Sequence, residues 1–345
     1  MNSRNKINLA VIGLGYWGPN FARIVAQSSV ANLKWCCDLD KKNLEKIKNL
    51  SSTMRLTDDY RELLKDKEVD AVIIATPAKT HYQIIKACLM AGKDVLVEKP
   101  IDFLSRRVKE LSKLSAGKKK ILMVGHVFRF NPAVVRIKDR IDQGSLGKIL
   151  SLSFKRVGLG PIRKDVNVMW DLAPHDISML LYFIDARPVS VFAAGQALNK
   201  NKNEDVVFVT IKFANKAIAN LHLSWIDPIK IRQVTIVGDK KMIVFDDISL
   251  TEKLKIFDKG VSYLDTGSSF GGFQAAIRDG DVLIPQIPTA EPLREEFNHF
   301  INCIQNRKNP ITDAQEAYRV TKILEAAQKS LKTGRVILLS PPIGR

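Results

Sequence analysis

Cysteine is scarce, with four in 345 residues at positions 36, 37, 88 and 303. Cys36 and Cys37 stand together in an apolar run and the other two stand alone in helical patterns. Neither a CxxC nor a Cys/His cluster at zinc spacing occurs. A short disulfide-stapled scaffold is excluded, no metal site is predicted, and reduced thiols point to the cytoplasm. Long hydrophobic runs are missing too. No stretch nears the ~20 uninterrupted apolar residues of a membrane-spanning helix, and candidates such as 177–184 are short. Residues 7–12 follow Arg4 and Lys6 like a signal peptide, but Asn8 interrupts the run and glycines end it, so it reads as a first strand.

Negative charge is in deficit: 36 acidic against 54 basic side chains leave +18. Such an excess suits nucleic acid, an anionic membrane surface or anionic small molecules. Only Lys118-Lys119-Lys120 forms a basic run, between a predicted helix and strand, and no nucleic-acid module is visible. Binding of nucleic acid or membrane is therefore not predicted, and a phosphate-bearing cofactor and substrate account for the charge. What the chain has in quantity is core: 46% hydrophobic and 26% charged residues. That composition is globular, and at roughly 150 residues per domain the length predicts about two domains.

The pattern predicts strands at 7–12, 33–38, 71–75, 95–97 and 121–124. Helices at 17–27, 41–50, 80–91 and 103–114, with a short one capped by Thr57-Asp58, alternate with them. Strands apolar at nearly every position and alternating with helices belong to a parallel sheet covered on both faces. The fold class is thus α/β, with a doubly wound first domain at 1–125. After Gly125 the rhythm changes. Helices at 133–143 and 172–184 flank a strand at 148–155; then come strands at 189–194, 206–213, 217–225, 231–237 and 242–245. Asn215-Lys216 and Gly238-Asp239-Lys240 are hairpin turns, so residues 126–345 read as an α+β domain with a large, mostly antiparallel open sheet. Helices at 293–305 and 314–331 close the chain, and Ser/Gly-rich 266–272 is the candidate mobile loop.

Gly13-Leu14-Gly15-Tyr16-Trp17-Gly18 follows a strand and opens a helix. The glycines permit a tight turn and close backbone approach to a pyrophosphate, which the helix N-terminus attracts. Asp38 lies 20 residues after Gly18 at the end of the second strand. There a carboxylate accepts ribose hydroxyls and favours NAD, while Lys41 and Lys42 leave NADP admissible. Thr76-Pro77 and Glu98-Lys99-Pro100 follow the third and fourth strands, where ligands of open α/β sheets bind. Lys99 beside a nicotinamide could exchange protons with a substrate hydroxyl; a lysine so placed can equally be a solvated surface residue. Thr80 suits a helix cap as well as a cofactor border. In Trp170-Asp171-Leu172-Ala173-Pro174-His175-Asp176, an Asp171 cap would put Pro174 in the first turn and His175 one turn on. Such a pair can act as orienter and acid/base, or as an ordinary cap beside a structural histidine.

Together, Gly13-x-Gly15-Tyr16-Trp17-Gly18, Ala75-Thr76-Pro77 with His81, Glu98-Lys99-Pro100, Gly125-His126 and Asp171-x-x-x-His175 resemble the Gfo/Idh/MocA oxidoreductases. The resemblance extends to Glu291-Pro292-Leu293 and the closing helix. It implies an N-terminal Rossmann domain that binds NAD at 1–125. Residues 126–345 would form a domain for substrate and oligomerisation, whose last helix would pack back on the first. It also implies catalysis by Lys99 with Asp171 and His175, and a cofactor site lined by Gly13, Gly15, Tyr16, Trp17, Gly18, Asp38, Thr76, Pro77, His81 and Glu98. Gly15–Asn20 and Trp170–Asp176 are similar to the branch acting on UDP-linked N-acetylamino sugars. That branch oxidises a ring hydroxyl to a ketone in making amino sugars for cell-surface polysaccharide. Arg129, Asn131, Arg156 and Arg163 are the candidate substrate contacts. A polyol, inositol or free-sugar dehydrogenase and a noncatalytic NAD sensor are the alternatives, and a homo-oligomer through the C-terminal sheet is expected.

Overall fold

A computed structural model describes residues 6–198, 203–265 and 273–339. The predicted loop at 266–272 lies outside them. The chain divides into two units, residues 1–130 with 290–322, and residues 131–289 with 323–345.

The first unit is built on six parallel strands: β1 (Ile7–Ile12), β2 (Ala31–Cys37), β3 (Arg55–Thr57), β4 (Ala71–Ile74), β5 (Asp94–Glu98) and β6 (Leu122–Gly125). Their order, β3-β2-β1-β4-β5-β6, is that of a dinucleotide-binding Rossmann sheet. Helices α1 (Gly18–Ala26), α2 (Lys41–Ile47), α3 (Tyr60–Lys65), α4 (Ala78–Met90) and α5 (Ser105–Gly117) fall between the strands. Alternation along each strand explains why both faces are apolar. Leu9, Val11, Ile73, Leu96 and Met123 pack on one side with Phe21 and Ile24 of α1. Ala10, Ile12, Val72, Ile74, Val95 and Val97 pack on the other with α4 and α5. Short β3 carries only three residues, too few for a readable period, and the cap of α3 is Asp59 rather than Thr57-Asp58.

A boundary at 125 divides the chain differently from the structure. Residues 290–322 return to the first unit. There α8 (Pro292–Asn306) places Leu293, Phe297, Phe300 and Ile304 in the core beside α1. The long helix α9 (Ala314–Thr333) contributes Ala314 and Ala317 to the opposite core, and its later residues belong to the second unit.

In the second unit, α6 (Pro132–Asp142) precedes β7 (Ile149–Leu159) and α7 (Val168–Phe183). Strands β8 (Pro188–Gln196), β9 (Val206–Phe213), β10 (Ile218–Ser224), β11 (Ile226–Gly238), β12 (Met242–Asp246), β13 (Leu254–Asp265), β14 (Phe273–Leu283) and β15 (Ile337–Leu338) complete a nine-stranded sheet. Its order is β14-β13-β12-β11-β7-β10-β9-β8-β15, and only β7 and β10 run parallel. Val207, Val209, Ile211, Ala219, Leu221 and Leu223 are buried at alternate positions, on the side that α7 covers. The other set leaves Leu150, Phe192, Phe208 and Ile218 exposed. Strands β13 and β14 form a hairpin that the pattern did not predict. Among the described residues no helix is long and apolar enough to cross a membrane.

Candidate active site

The turn from β1 to α1 owes its shape to glycine at two places. Gly13 has φ +89°, and a Cβ on it would stand 2.7 Å from the backbone of Ala75 and Thr76 at the end of β4. A Cβ on Gly18 would stand 1.9 Å from Gly13 O, so only glycine lets α1 begin that close to the strand. Gly15 differs, since a Cβ there would meet nothing within 4 Å. Its backbone borders open space at a helix N-terminus, the setting a pyrophosphate needs. Asp38 follows β2 and reaches this turn. Its Oδ2 accepts from Leu14 N at 2.5 Å, and its Oδ1 from Asp40 N at 2.8 Å and Asn43 Nδ2 at 3.3 Å. Tyr16 (85% exposed) and Trp17 pack edge to face with ring centres 5.6 Å apart.

Beyond β4, Pro77 precedes α4, which makes Thr80 an internal helix residue. Its hydroxyl donates to Pro77 O and lies 2.8 Å from Thr76 Oγ1. His81 is buried, and its two ring nitrogens lie 2.8 Å from Thr76 O and 2.9 Å from Pro100 O. Burial pushes its pKa down, against the two carbonyls that favour the imidazolium. A neutral ring donates to one of them and ties together the loops after β4 and β5.

Glu98 and Lys99 end β5, and the Lys99–Pro100 peptide is cis. Glu98 is buried, and its Oε2 accepts from Lys99 N at 3.1 Å. Burial pushes its carboxyl up to about 7, while the charge of Lys99 acts in the opposite direction. After β6, His126 Nδ1 lies 2.8 Å from Glu316 Oε2, and Arg129 Nη1 is 3.7 Å from Glu316 Oε1.

In the second unit α7 begins a turn earlier than an Asp171 cap requires. Asn167 is the cap, accepting from Trp170 N at 3.1 Å, and its Nδ2 donates to Glu204 and Gln328. Pro174 consequently sits inside the helix rather than in its first turn. The i,i+4 spacing still sets Asp171 and His175 on one side of α7, and both are half-buried. Arg163 pairs with Asp165 at 2.8 Å and with Asp171 at 3.4 Å.

Three of the four candidate substrate contacts are buried against internal partners. Arg129 is buried beside Glu316. Asn131 caps α6 and its Nδ2 donates to Asp247 at 3.3 Å. Arg156 grips Asp176 through Nε (3.0 Å) and Nη2 (2.7 Å), both side chains being buried. Position along β7 foretells this, because Leu152, Phe154 and Arg156 share its buried face. Only Arg163 is exposed. Glu296 and Glu316, both buried, were missed altogether. Glu296 had a signal: it falls on the apolar stripe of α8 with Leu293, Phe297 and Phe300.

The order of the parallel sheet and the glycine turn at its centre define a dinucleotide-binding domain. Residues 7–126 match the NAD-binding Rossmann fold of the GFO/IDH/MocA oxidoreductases, and residues 134–244 match the C-terminal domain of the same family. The chain belongs to this family. Among its relatives is the NAD(+)-dependent scyllo-inositol 2-dehydrogenase of Bacillus subtilis (strain 168), 28% identical over 97% of both chains. The UDP-N-acetylglucosamine 3-dehydrogenase of Acidithiobacillus ferrooxidans is 26% identical over 90% of this chain and 92% of its own. The crystal structure of GenD2 from gentamicin A biosynthesis in complex with NAD superposes with a TM-score of 0.82 at 22% identity. It covers 99% of this chain and 98% of its own. The protein is accordingly an NAD-binding oxidoreductase of a family whose relatives act on CH–OH groups of sugars and polyols.

Proposed function

We propose that this protein oxidises a secondary ring hydroxyl to a ketone, with a UDP-linked N-acetylamino sugar as substrate and C3 as the carbon, in biosynthesis of cell-surface polysaccharide in the cytoplasm. The observation that carries the chemistry is the end of β5, where Lys99 is half-buried beside a buried carboxyl. NAD, when bound, accepts the hydride. Gly13, Gly15 and Gly18 hold its pyrophosphate, Asp38 its ribose, and Tyr16, Trp17, Thr76, Pro77, His81 and Glu98 shape the remainder of its site. Lys99 or His175 takes the hydroxyl proton, and Asp171 orients its partner and favours its charged form. The net charge of +18 supports a diphosphate substrate, and Arg163 is the exposed arginine beside Asp171.

A cyclic polyol is the second reading. It is favoured by the internal pairing of Arg129 and Arg156, which occupies two cations meant for phosphate, and by the inositol dehydrogenases among the relatives. The apolar set Leu150, Phe192, Phe208 and Ile218 on the open sheet face supports a homo-oligomer, because a second copy would remove it from water. One experiment separates the substrates: nicotinamide reduction with NAD and, in turn, UDP-N-acetylglucosamine, its uronic acid, free sugars and inositol. Turnover of a UDP-sugar alone is expected; saturation by inositol alone would replace that substrate with a polyol.

A further inference from the structure

Among the ionisable side chains of the first unit that are shut away from water are Glu98, His126, Arg129, Glu296 and Glu316. Four of them have charged or hydrogen-bonded neighbours already described. Glu296 is the exception. It is 0% exposed, and neither of its carboxyl oxygens has a hydrogen-bond partner among the described residues. An ionised carboxylate in that position would keep its full desolvation penalty with nothing to offset it, so the side chain retains its proton. Burial, and after it the negative charge of Glu98, both push it well above the usual carboxyl range.

A protonated carboxyl has an O–H that needs an acceptor. Leu96 of β5 packs with Leu293, Phe297 and Phe300 of α8, so Glu98, two residues on along the same strand face, and Glu296, on the same helix stripe, belong to one buried layer. The Glu98 carboxyl carbon packs 3.4 Å from where a Cβ on Gly125 would stand, and its Oε2 already holds Lys99 N. Other charges around α8 are engaged elsewhere. His126 and Arg129 face Glu316, and Arg23 of α1 pairs with Glu291 before the first turn of α8. His299, one turn beyond Glu296, is pushed down by burial, and its Nε2 accepts from Ile311 N.

We propose that Glu296 is a positioning residue for Lys99: it keeps a proton at neutral pH and offers it through a buried water to Glu98, so that the two carboxyls hold one negative charge behind the lysine. A water making two to four hydrogen bonds between buried polar groups is an ordinary component of protein interiors. Donation to the anionic form of Glu98 keeps that form available to Lys99. Without it, Glu98 would retain its own proton and Lys99 would lose its counter-charge. The consequence for turnover rests on the function proposed above.

Two variants of the full-length protein test this, Glu296→Gln, which keeps a neutral donor, and Glu296→Leu, which removes it. Infrared spectra at pH 7 should show the carbonyl stretch of a protonated carboxylic acid, shifted in heavy water, in the parent protein and not in Glu296→Gln, whereas in Glu296→Leu the proton retained by Glu98 supplies a carboxylic band of its own. In turnover, the acidic limb of the kcat profile should move down by about one pH unit in Glu296→Leu, the size of one lost hydrogen bond to a charged group. Glu296→Gln should bring it back, with KM for NAD little changed in either. A missing carboxylic band, or one that persists in Glu296→Gln, overturns the proposal. So does an unmoved limb in folded Glu296→Leu. If no substrate is turned over, the dehydrogenase function fails by itself, and the infrared band still decides whether Glu296 holds the proton.

Discussion

The buried acids at the end of β5 and on α8 and those on α7 occupy opposite surroundings. Glu98 and Glu296 are both buried, and burial raises the affinity of each for a proton. Asp171 and Asp176 each face a guanidinium instead, Arg163 at 3.4 Å and Arg156 at 2.7 Å. Residue type is therefore a poor guide to role. A buried carboxyl with another carboxyl for a neighbour is a place to keep a proton, and one with an arginine is a means of fixing geometry. The two units can be perturbed separately, and the contrast predicts different symptoms: altered proton handling in the first, altered folding stability in the second.

Removing the lysine beside the first pair should give the largest effect. Lys99→Ala is expected to lower turnover by about 10²–10⁴, the usual range for general acid–base catalysis. NAD affinity, read by quenching of tryptophan fluorescence, should stay close to that of the parent. Full activity in Lys99→Ala would remove the lysine from the chemistry and leave His175 as the base. In the second unit the corresponding break is Asp176→Ala, which leaves the Arg156 guanidinium buried without its carboxylate. That loss should cost roughly 3–5 kcal/mol in urea unfolding. Replacing both, Arg156→Met with Asp176→Leu, should recover most of it, since apolar packing substitutes well for a buried pair.

Stability against pH sharpens the same comparison. Burial raises Glu98 from 4.5 to about 7, so the folded chain holds a proton there that the unfolded chain has released. Its contribution to stability is complete below the unfolded value and is lost as pH rises through the folded one. Between pH 4.5 and 7 the parent protein should lose about 3 kcal/mol from this group, and Glu98→Gln should flatten that slope. An unchanged slope in Glu98→Gln would mean that the buried carboxyl is not raised.

How much of this could be read from the sequence follows from the range of the forces involved. The parallel sheet was legible because alternation between its two cores repeats within each strand, as in Ile7–Ile12. The glycine turn was legible because Gly13, Gly15 and Gly18 obey local backbone rules. The glycines are not equivalent, however, and only the structure separates them. Gly13 and Gly18 are needed for chain packing, whereas Gly15 faces open space. The cap of α7 was misplaced because Asn167 and Asp171 are both good caps, and tertiary bonds from Asn167 to Glu204 and Gln328 select between them. The pairing of His126 with Glu316 joins residues 190 apart in sequence, beyond any local pattern.

The unequal glycines make the next prediction, of intermediate size. Gly15→Ala should leave the unfolding midpoint almost unmoved, because its methyl meets nothing within 4 Å. It should weaken NAD binding by about tenfold or more, close to 1.4 kcal/mol, by standing where the pyrophosphate approaches the backbone. In Gly18→Ala the methyl would collide with Gly13 O, so stability itself should fall. Equal loss of stability in both variants would remove the reason for assigning the cofactor to this turn.

The smallest effect belongs to Arg163, and its interest lies in being small. Its ion pair with Asp171 is 3.4 Å long, and the arginine is 44% exposed. Water screens such a pair, so Arg163→Ala should change stability by less than about 1 kcal/mol, against the several expected for Asp176→Ala on the same helix. If Arg163 serves the substrate, the variant should raise KM for a UDP-sugar while leaving KM for NAD and the unfolding midpoint in place. A change in kcat alone would instead assign the arginine to holding Asp171, because the carboxylate would then swing away from the face of α7 that it shares with His175.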